Sequence, residues 1–475
     1  MSTVHRLTIP MVFPAGVAPG ESRDSNRLSI ARDGRDQPVL RGTALAGVLR
    51  HAYARSVGKP SSAPEVARWF GFALEGEQGG TGSLLRVPDC VLDFGKSSVT
   101  QRAHNAVNRH TGAVMSGSLL SLDALPPGTR TIAVLTLQVA AAEDDEPAFE
   151  FLKVLLGLIE QGLTLGGNAS RGIGLVSLDG GANHRRFDLS RIEEHAAYLD
   201  EVYAWRNKGT APATGDVLQP APTEGQTLTV DLALKVPRGQ DLLVGGGLDL
   251  DCDIEPQSVV QADGQRCWRL PGSSLRGAFR AWYARLAAQD GERVADGLDA
   301  LEAAGRECES LDGDDVAWGL ASESRRRELQ TALKREPSRL DELISCPVLR
   351  LFGSAYARGR IHFSDAYAPQ AGAHGGGQDR QHVAVDRITG GANDGALFSS
   401  KVLAGVAFAV RVTIQEPTPE EAKRLAKTIR ALDLGILRVG SSKAGGRLAL
   451  AEPVKAEGPE SDRLTSLHPS EVDHV

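Results

Sequence analysis

Aromatic residues make up only 5% of the sequence, and its 475 residues include just five cysteines and three methionines. The cysteines (Cys90, Cys252, Cys267, Cys308 and Cys346) are scattered and form no C-x-x-C pair. That argues against a zinc ribbon or a thioredoxin-like redox motif, and we read them as reduced, structural thiols. No run of about 18 apolar residues occurs, so no membrane-spanning helix is expected. The opening MSTVHRLTIPMVF has no charged start followed by a long apolar run. The expectation is therefore no signal peptide and a cytoplasmic protein. A glycine-rich stretch, GGNASRGIG at 166–174, has the wrong spacing for G-x-G-x-x-G, and no G-K-[ST] follows it. A nucleotide-cofactor enzyme is thus disfavoured.

Net negative charge, formally −7, would speak against a nucleic-acid partner were it spread evenly. It is not. Residues 286–345 hold 15 acidic and 8 basic side chains, whereas residues 1–60 carry nine Arg or Lys against four Asp or Glu. Local basic surfaces that bind phosphates are compatible with that distribution.

What the chain does have is an internal repeat. LRGTALAGVLRHAYAR from Leu40 is matched by LPGSSLRGAFRAWYAR from Leu270. WFGFALEGEQGGTGSLLRVPDCVL from Trp69 is matched by LFGSAYARGRIHFSDAYA from Leu351. HNAVNRHTGAVMSGSLLSLDALPPGT from His104 is matched by HVAVDRITGGANDGALFSSKVLAG from His382. Last, LTLGGNASRGIGLVSL from Leu163 is matched by LRVGSSKAGGRLALA from Leu437. The order is kept, and only one spacing differs by more than four residues: 29 residues between the first two blocks in one copy and 81 in the other. The excess is an acidic insertion at about 289–345, whose Ala, Leu, Glu and Arg favour helix. GTAPATGDVLQPAPTEG at 209–225 reads as a linker.

Each copy opens on a strand-like alternation (LTIPMVF, LTVDLALKV), then a turn and an amphipathic helix, paired strands, a second helix and a final strand. That order predicts an α+β fold of two tandem ferredoxin-like, RRM-like modules. The predicted divisions are a first module at 1–190, a helical segment and linker at 191–226, a second module at 227–455 and a flexible tail at 456–475.

In LPGSSLRG, Ser273 or Ser274 is predicted to cap the helix. The same start, with Arg276 and Arg280, and Arg41, Thr43 and Arg50 in the first copy, reads either as a plain capped turn or as an anion site. Arg171 in the glycine loop and Lys443 in its counterpart are further basic candidates. Arg109 in NRHTG and Arg387 in DRITG either tie down their own loops or face a phosphate. His104, His110 and His382 invite acid–base chemistry, but His110 is Ile388 in the second copy, so it is not a shared element. DLDCDIEP places Asp249, Asp251, Asp253 and Glu255 at alternate positions, either as a solvated acidic loop or as a holder of Mg²⁺ or another divalent cation. Asp89 and Asp365 recur after apolar strands and read as strand terminators.

LPGSSLRGAFR, LFGSAYARGRIHFSDA, VDRITGGANDGALF and LGGNASRGIG resemble the signature blocks of the RAMP superfamily. More narrowly, they resemble the backbone subunit that coats guide RNA in type III CRISPR complexes, over about 6–185 and 228–452. The resemblance implies a CRISPR guide RNA, a complementary target RNA and other CRISPR effector subunits as partners, and no membrane. It also implies an RRM-like palm, a β-hairpin thumb entering the guide–target duplex, and an aspartate loop supporting metal-dependent endoribonuclease cleavage by ribose 2′-hydroxyl attack. Family members read D-x-x-V-x-R-D there, whereas this chain has RLSIARDG, with Arg27 in the aspartate's place. Asp24, Asp253 and Asp251 are the nearest catalytic candidates, and Asp251 and Asp253 the metal candidates. A non-catalytic scaffold subunit and a guide-processing endoribonuclease are the rival readings.

Overall fold

The computed structural model describes residues 2–24, 27–72, 80–104, 120–140, 144–167, 172–208, 215–221, 226–247, 254–292, 294, 346–353, 359–370, 376–440 and 446–470. Over them the chain is a mixed α+β protein with several antiparallel sheets and eight helices. No described helix is long and apolar enough to cross a membrane. Buried residues fall into two large clusters with no member in common, one built from residues of each sequence copy.

In the first module, Thr3–Phe13 is rich in β-branched residues and buried along nearly its whole length, as a central strand must be. It pairs antiparallel with Thr129–Val139 on one side and Ala182–Asp188 on the other. Cys90–Asp93 and Val39–Leu40 extend the sheet beyond Thr129–Val139. Helices Gly42–Ser56 and Asp145–Glu160 bury Leu45, Leu49, Phe151, Leu152 and Leu155 in the same core. Trp69 stacks on Phe151 with ring centroids 4.8 Å apart.

The second module repeats the plan. Thr227–Lys235 alternates buried and half-buried residues, and pairs with Ala407–Gln415 and with Ala449–Leu450. Helix Gly272–Gln289 sends Leu275, Phe279 and Tyr283 into the core, where Phe279 meets Phe363 edge-on at 5.0 Å. Helix Pro419–Asp433 starts on a reciprocal capping box, Thr418 with Glu421, that satisfies two otherwise orphan N–H groups.

Three expectations change. The segment 191–226 contains the expected helix, Ile192–Lys208, but Asp216–Leu218 within it adds a strand to the first sheet. The tail read as flexible is packed as far as residue 470. Lys455–Glu457 pairs with Thr229, Val230 and Asp231, Leu464 is fully buried, and the Ser470 N–H donates to buried Asp433 at 2.8 Å. Few apolar residues are spent there, which is why composition read as fraying. Finally, neither Ser273 nor Ser274 caps its helix: Pro271 holds the cap position and makes no side-chain cap bond.

Candidate functional site

The helix-start blocks acquire their caps from a distance. Gly42 N–H donates to Asp89 Oδ1 at 2.8 Å in the first module, and Gly272 N–H donates to Asp365 Oδ1 at 2.8 Å in the second. A carboxylate at a helix start accepts an orphan N–H and lies at the favourable end of the helix dipole. Asp89 and Asp365 are thus helix caps rather than strand terminators. Arg41 Nη1 donates to Asp89 Oδ2 at 2.9 Å and Arg41 Nη2 to the Arg32 carbonyl at 3.1 Å. Burial alone would raise the Asp89 pKa, but the Gly42 N–H and Arg41 outweigh it and hold it below the usual carboxylate range.

The second cap is also the centre of the junction between modules. Arg102, on the first-module strand Thr100–His104, reaches Asp365 Oδ2, and Arg269 Nη1 lies 3.4 Å from the same oxygen. Tyr367 O–H donates to the Ala15 carbonyl at 3.0 Å, and Asp365 N–H to the Gly172 carbonyl at 2.7 Å. Gly172 has φ +113°, and a Cβ there would fall 1.8 Å from Asp365 Oδ1. A Cβ at Gly272 would fall 2.3 Å from the Phe363 carbonyl. The glycines therefore let two backbones close over one carboxylate. Burial raises the Asp365 pKa, but Arg102, Arg269 and the Gly272 N–H outweigh it, leaving it low.

Strand register relates the two copies. Leu125 and Leu403 bridge antiparallel to Val17 and Leu242. Three residues earlier, Leu122 pairs with Arg102 and Ser400 with Arg380, so Arg102 and Arg380 are equivalent. Leu122 and Ser400 also pair, in parallel, with Leu28 and Ile254. Counting one residue back gives Arg27 in the first module and Asp253 in the second, the latter outside the described residues.

Arg27 grips Asp123 with two nitrogens, Nη2 at 2.9 Å from Oδ2 and Nε at 3.2 Å from Oδ1. This fork geometry uses up the carboxylate, so Asp123 does not suit a cation. Among the described residues, no group of three or more His, Cys, Asp or Glu could hold a metal ion. Asp24 ends its strand paired with Arg27. Asp251, Arg109, Arg171 and Lys443 lie outside the described residues.

The remaining basic candidates are dispersed. Arg50 donates twice to the Ser61 carbonyl, at 2.8 and 3.2 Å, and Arg276 donates to the Phe352 carbonyl. Thr43 is exposed, while Ser273, Ser274 and Arg280 are half-buried on their helix. In DRITG it is Asp386, not Arg387, that ties the loop, accepting from the Ile388 and Thr389 N–H groups at 2.9 and 2.8 Å. Arg387 is left exposed at the tip of a two-stranded ribbon, Gly377–Val385 paired with Ala392–Leu403. The ribbon also exposes Val383, Val385, Ile388 and Leu397, and His382 stacks on Phe398.

One constellation has no signature in the sequence. His5 Nε2–H donates to Asp145 Oδ1 at 2.9 Å, which leaves His5 Nδ1 to accept from His184 Nε2–H at 3.1 Å. Both rings are buried beside a cavity of about 690 Å³. Burial lowers the pKa of both, and that of His184 to about 4. Asp145 and His184 lie 140 and 179 positions from His5, so no local motif announces them.

A family model described as the RAMP superfamily matches residues 7–177 and 240–448. Among curated proteins, no sequence matches.

Proposed function

The chain belongs to the RAMP superfamily, and from that premise we propose that it is a guide-RNA-binding backbone subunit of a type III CRISPR effector complex, built of two tandem ferredoxin-like modules. RAMP membership supports CRISPR-associated RNA binding in general. The observation that carries the narrower reading is the ribbon of the second module, with apolar side chains exposed along it and Arg387 at its tip. Exposed aliphatic side chains suit wedging between bases, and a terminal guanidinium suits a phosphate. Arg41, at the rim of its helix start, and half-buried Arg280 supply further phosphate contacts in this reading.

Target cleavage is assigned to the second module. Asp253 precedes Ile254 in the sequence as Arg27 precedes Leu28 in the first module, and Arg27 is spent on Asp123. The first module then serves as a scaffold, so the non-catalytic alternative holds for half of the chain. If a divalent cation takes part, Asp251 and Asp253 are the carboxylates to hold it, and it would stabilise charge on the phosphate.

Fluorescence anisotropy with labelled RNA over a salt series tests the binding. Replacing Arg280 and Arg387 by Gln should weaken binding alike for all sequences and flatten its dependence on salt, because phosphate contacts release counterions. A wild-type chain that binds no RNA at low salt would overturn the proposal.

A further inference from the structure

The cavity beside His5 and His184 lies at one edge of the first sheet, where the start of helix Asp145–Glu160 meets strands Ala182–Asp188 and Asp216–Leu218. A chain of three hydrogen bonds runs into it. Arg186 donates to Asp145 Oδ2 at 2.9 Å, His5 donates to Asp145 Oδ1, and His184 donates to His5. Because a carboxylate only accepts, the tautomer of each ring is fixed in turn, and His184 Nδ1 is left with a lone pair and no proton. Among the described residues Nδ1 has no partner, and it is not sealed inside the protein either, so it opens on the cavity that His184 lines. His184 itself is only 8% exposed. A buried acceptor without a donor is costly, so the chain ends on a place for an N–H or O–H from elsewhere.

The rest of the lining identifies that donor. Its two guanidinium groups are already matched, Arg185 with Glu201 and Arg186 with Asp145. Glu146, in the first helical turn, and Asp216, the register partner of His184, are exposed and have no ion pair among the described residues. Residues paired across antiparallel strands point to the same face, which puts Asp216 beside His184. Unmatched negative charge next to a neutral acceptor selects a cation that carries N–H groups. No three His, Cys, Asp or Glu among the described residues gather as a metal ion requires, so an organic cation suits the site better. Phe149, whose ring centroid stands 4.9 Å from that of His184, gives the cavity an apolar wall for methylene groups. We infer that this cavity binds a small aliphatic diamine or polyamine, one ammonium shared by His184 Nδ1 and Asp216 and the other held by Glu146. Burial holds the His184 pKa down to about 4, so the ring stays an acceptor at neutral pH. The inference rests on the first module alone, not on RNA binding.

Calorimetric titration of the full, RNA-free chain with putrescine tests it, with butylamine as the single-ammonium control. Putrescine should bind at one saturable site, and butylamine about fivefold or more weakly, since it leaves one carboxylate unmatched. Asp216→Asn and Glu146→Gln should each weaken putrescine about fivefold. Both positions are exposed, so thermal melting should be unchanged. Glu146→Gln should leave butylamine binding as it is, because that end of the site is the one butylamine does not use. In a chain labelled at the histidine ring nitrogens, putrescine should shift the Nδ1 resonance of His184, identified by its absence in His184→Gln. Uptake that never saturates, or that survives both carboxylate variants, would mean loose attraction to negative surface and overturn the inference. Equal affinity for butylamine would make the ligand a lone ammonium, such as a lysine side chain of a partner, and overturn the diamine assignment. A His184 resonance that putrescine does not move would remove the acceptor from the site and overturn it too.

Discussion

Arg102 of the first module and Asp365 of the second form an ion pair with 3% and 1% of their side chains exposed. Taking two charges out of water is costly, and removing one partner leaves the other uncompensated. Arg102→Ala should therefore destabilise the chain by up to about 3–5 kcal/mol. Asp365→Ala should cost at least as much, because it also orphans the Gly272 N–H. Chemical denaturation of both singles and the double should show strong non-additivity, the double losing less than the sum.

How far this was legible in the sequence can be judged at the same residues. The mixed α+β character was, because alternation and helical periodicity are local. The repeat even marked Asp89 and Asp365 as equivalent. What they do was not legible, since each caps a helix that starts 47 or 93 residues earlier in the chain. Ser273 and Ser274 looked like caps because propensity favours serine there, and a tertiary carboxylate won. Arg102 stands just outside the repeated block, two residues before His104 as Arg380 is before His382, and strand register bears out that the two are equivalent.

The packed C-terminal segment makes a second prediction. Leu464 is fully buried in the second core, and Asp433 accepts from the N–H groups of Leu450 and Ser470. Leu464→Ala should cost about 2–5 kcal/mol, the usual range for emptying a core leucine site. Deleting residues 455–475 should cost more, since it also uncovers Thr229–Asp231 and leaves Asp433 short of a donor. Thermal unfolding of both variants measures this; an unchanged midpoint in the deletion would disprove the packing.

Acid sensitivity should be traceable to His5 and His184. Burial lowers the pKa of each, that of His184 from 6.5 to about 4, while Asp145 opposes the effect at His5 and nearby Arg186 adds to it. An unfolded chain binds these protons first, so stability is complete above pH 6.5 and falls as pH drops towards 4. Each tenfold loss of proton affinity on folding corresponds to about 1.4 kcal/mol, so His184 contributes on the order of 3 kcal/mol. Asp145 has a lowered pKa and titrates below this window. His184→Gln should flatten the stability profile between pH 4 and 6.5. Urea midpoints at several pH values would show it, and an equally steep profile in the variant would refute the assignment.

The cleavage prediction turns on one register position. Arg27, neighbour of Leu28, is clamped on Asp123 and presents no carboxylate to RNA. Asp253 precedes Ile254 in the sequence as Arg27 precedes Leu28, with Asp251 two residues before it, and Asp253 is the carboxylate to which the proposal assigns the cut. A 2′-hydroxyl that attacks its own phosphate expels the 5′-oxygen of the next nucleotide, so the products carry a 2′,3′-cyclic phosphate and a 5′-hydroxyl. The protein has mainly to hold the ribose in line with the leaving oxygen and to stabilise charge. In an assembled complex, Asp253→Ala should abolish the cut while target affinity changes little, since a group acting in the transition state is lost rather than a binding contact. Asp24→Ala should leave the Asp253-dependent cut in place, because its strand ends opposite Arg27 rather than in that register. Mapping end-labelled target with Mg²⁺ and with EDTA, and assaying the cyclic phosphate, reads all of this. A wild type that binds target and never cuts would make both modules scaffold, and a cut that survives Asp253→Ala but not Asp24→Ala would move the chemistry to the first module.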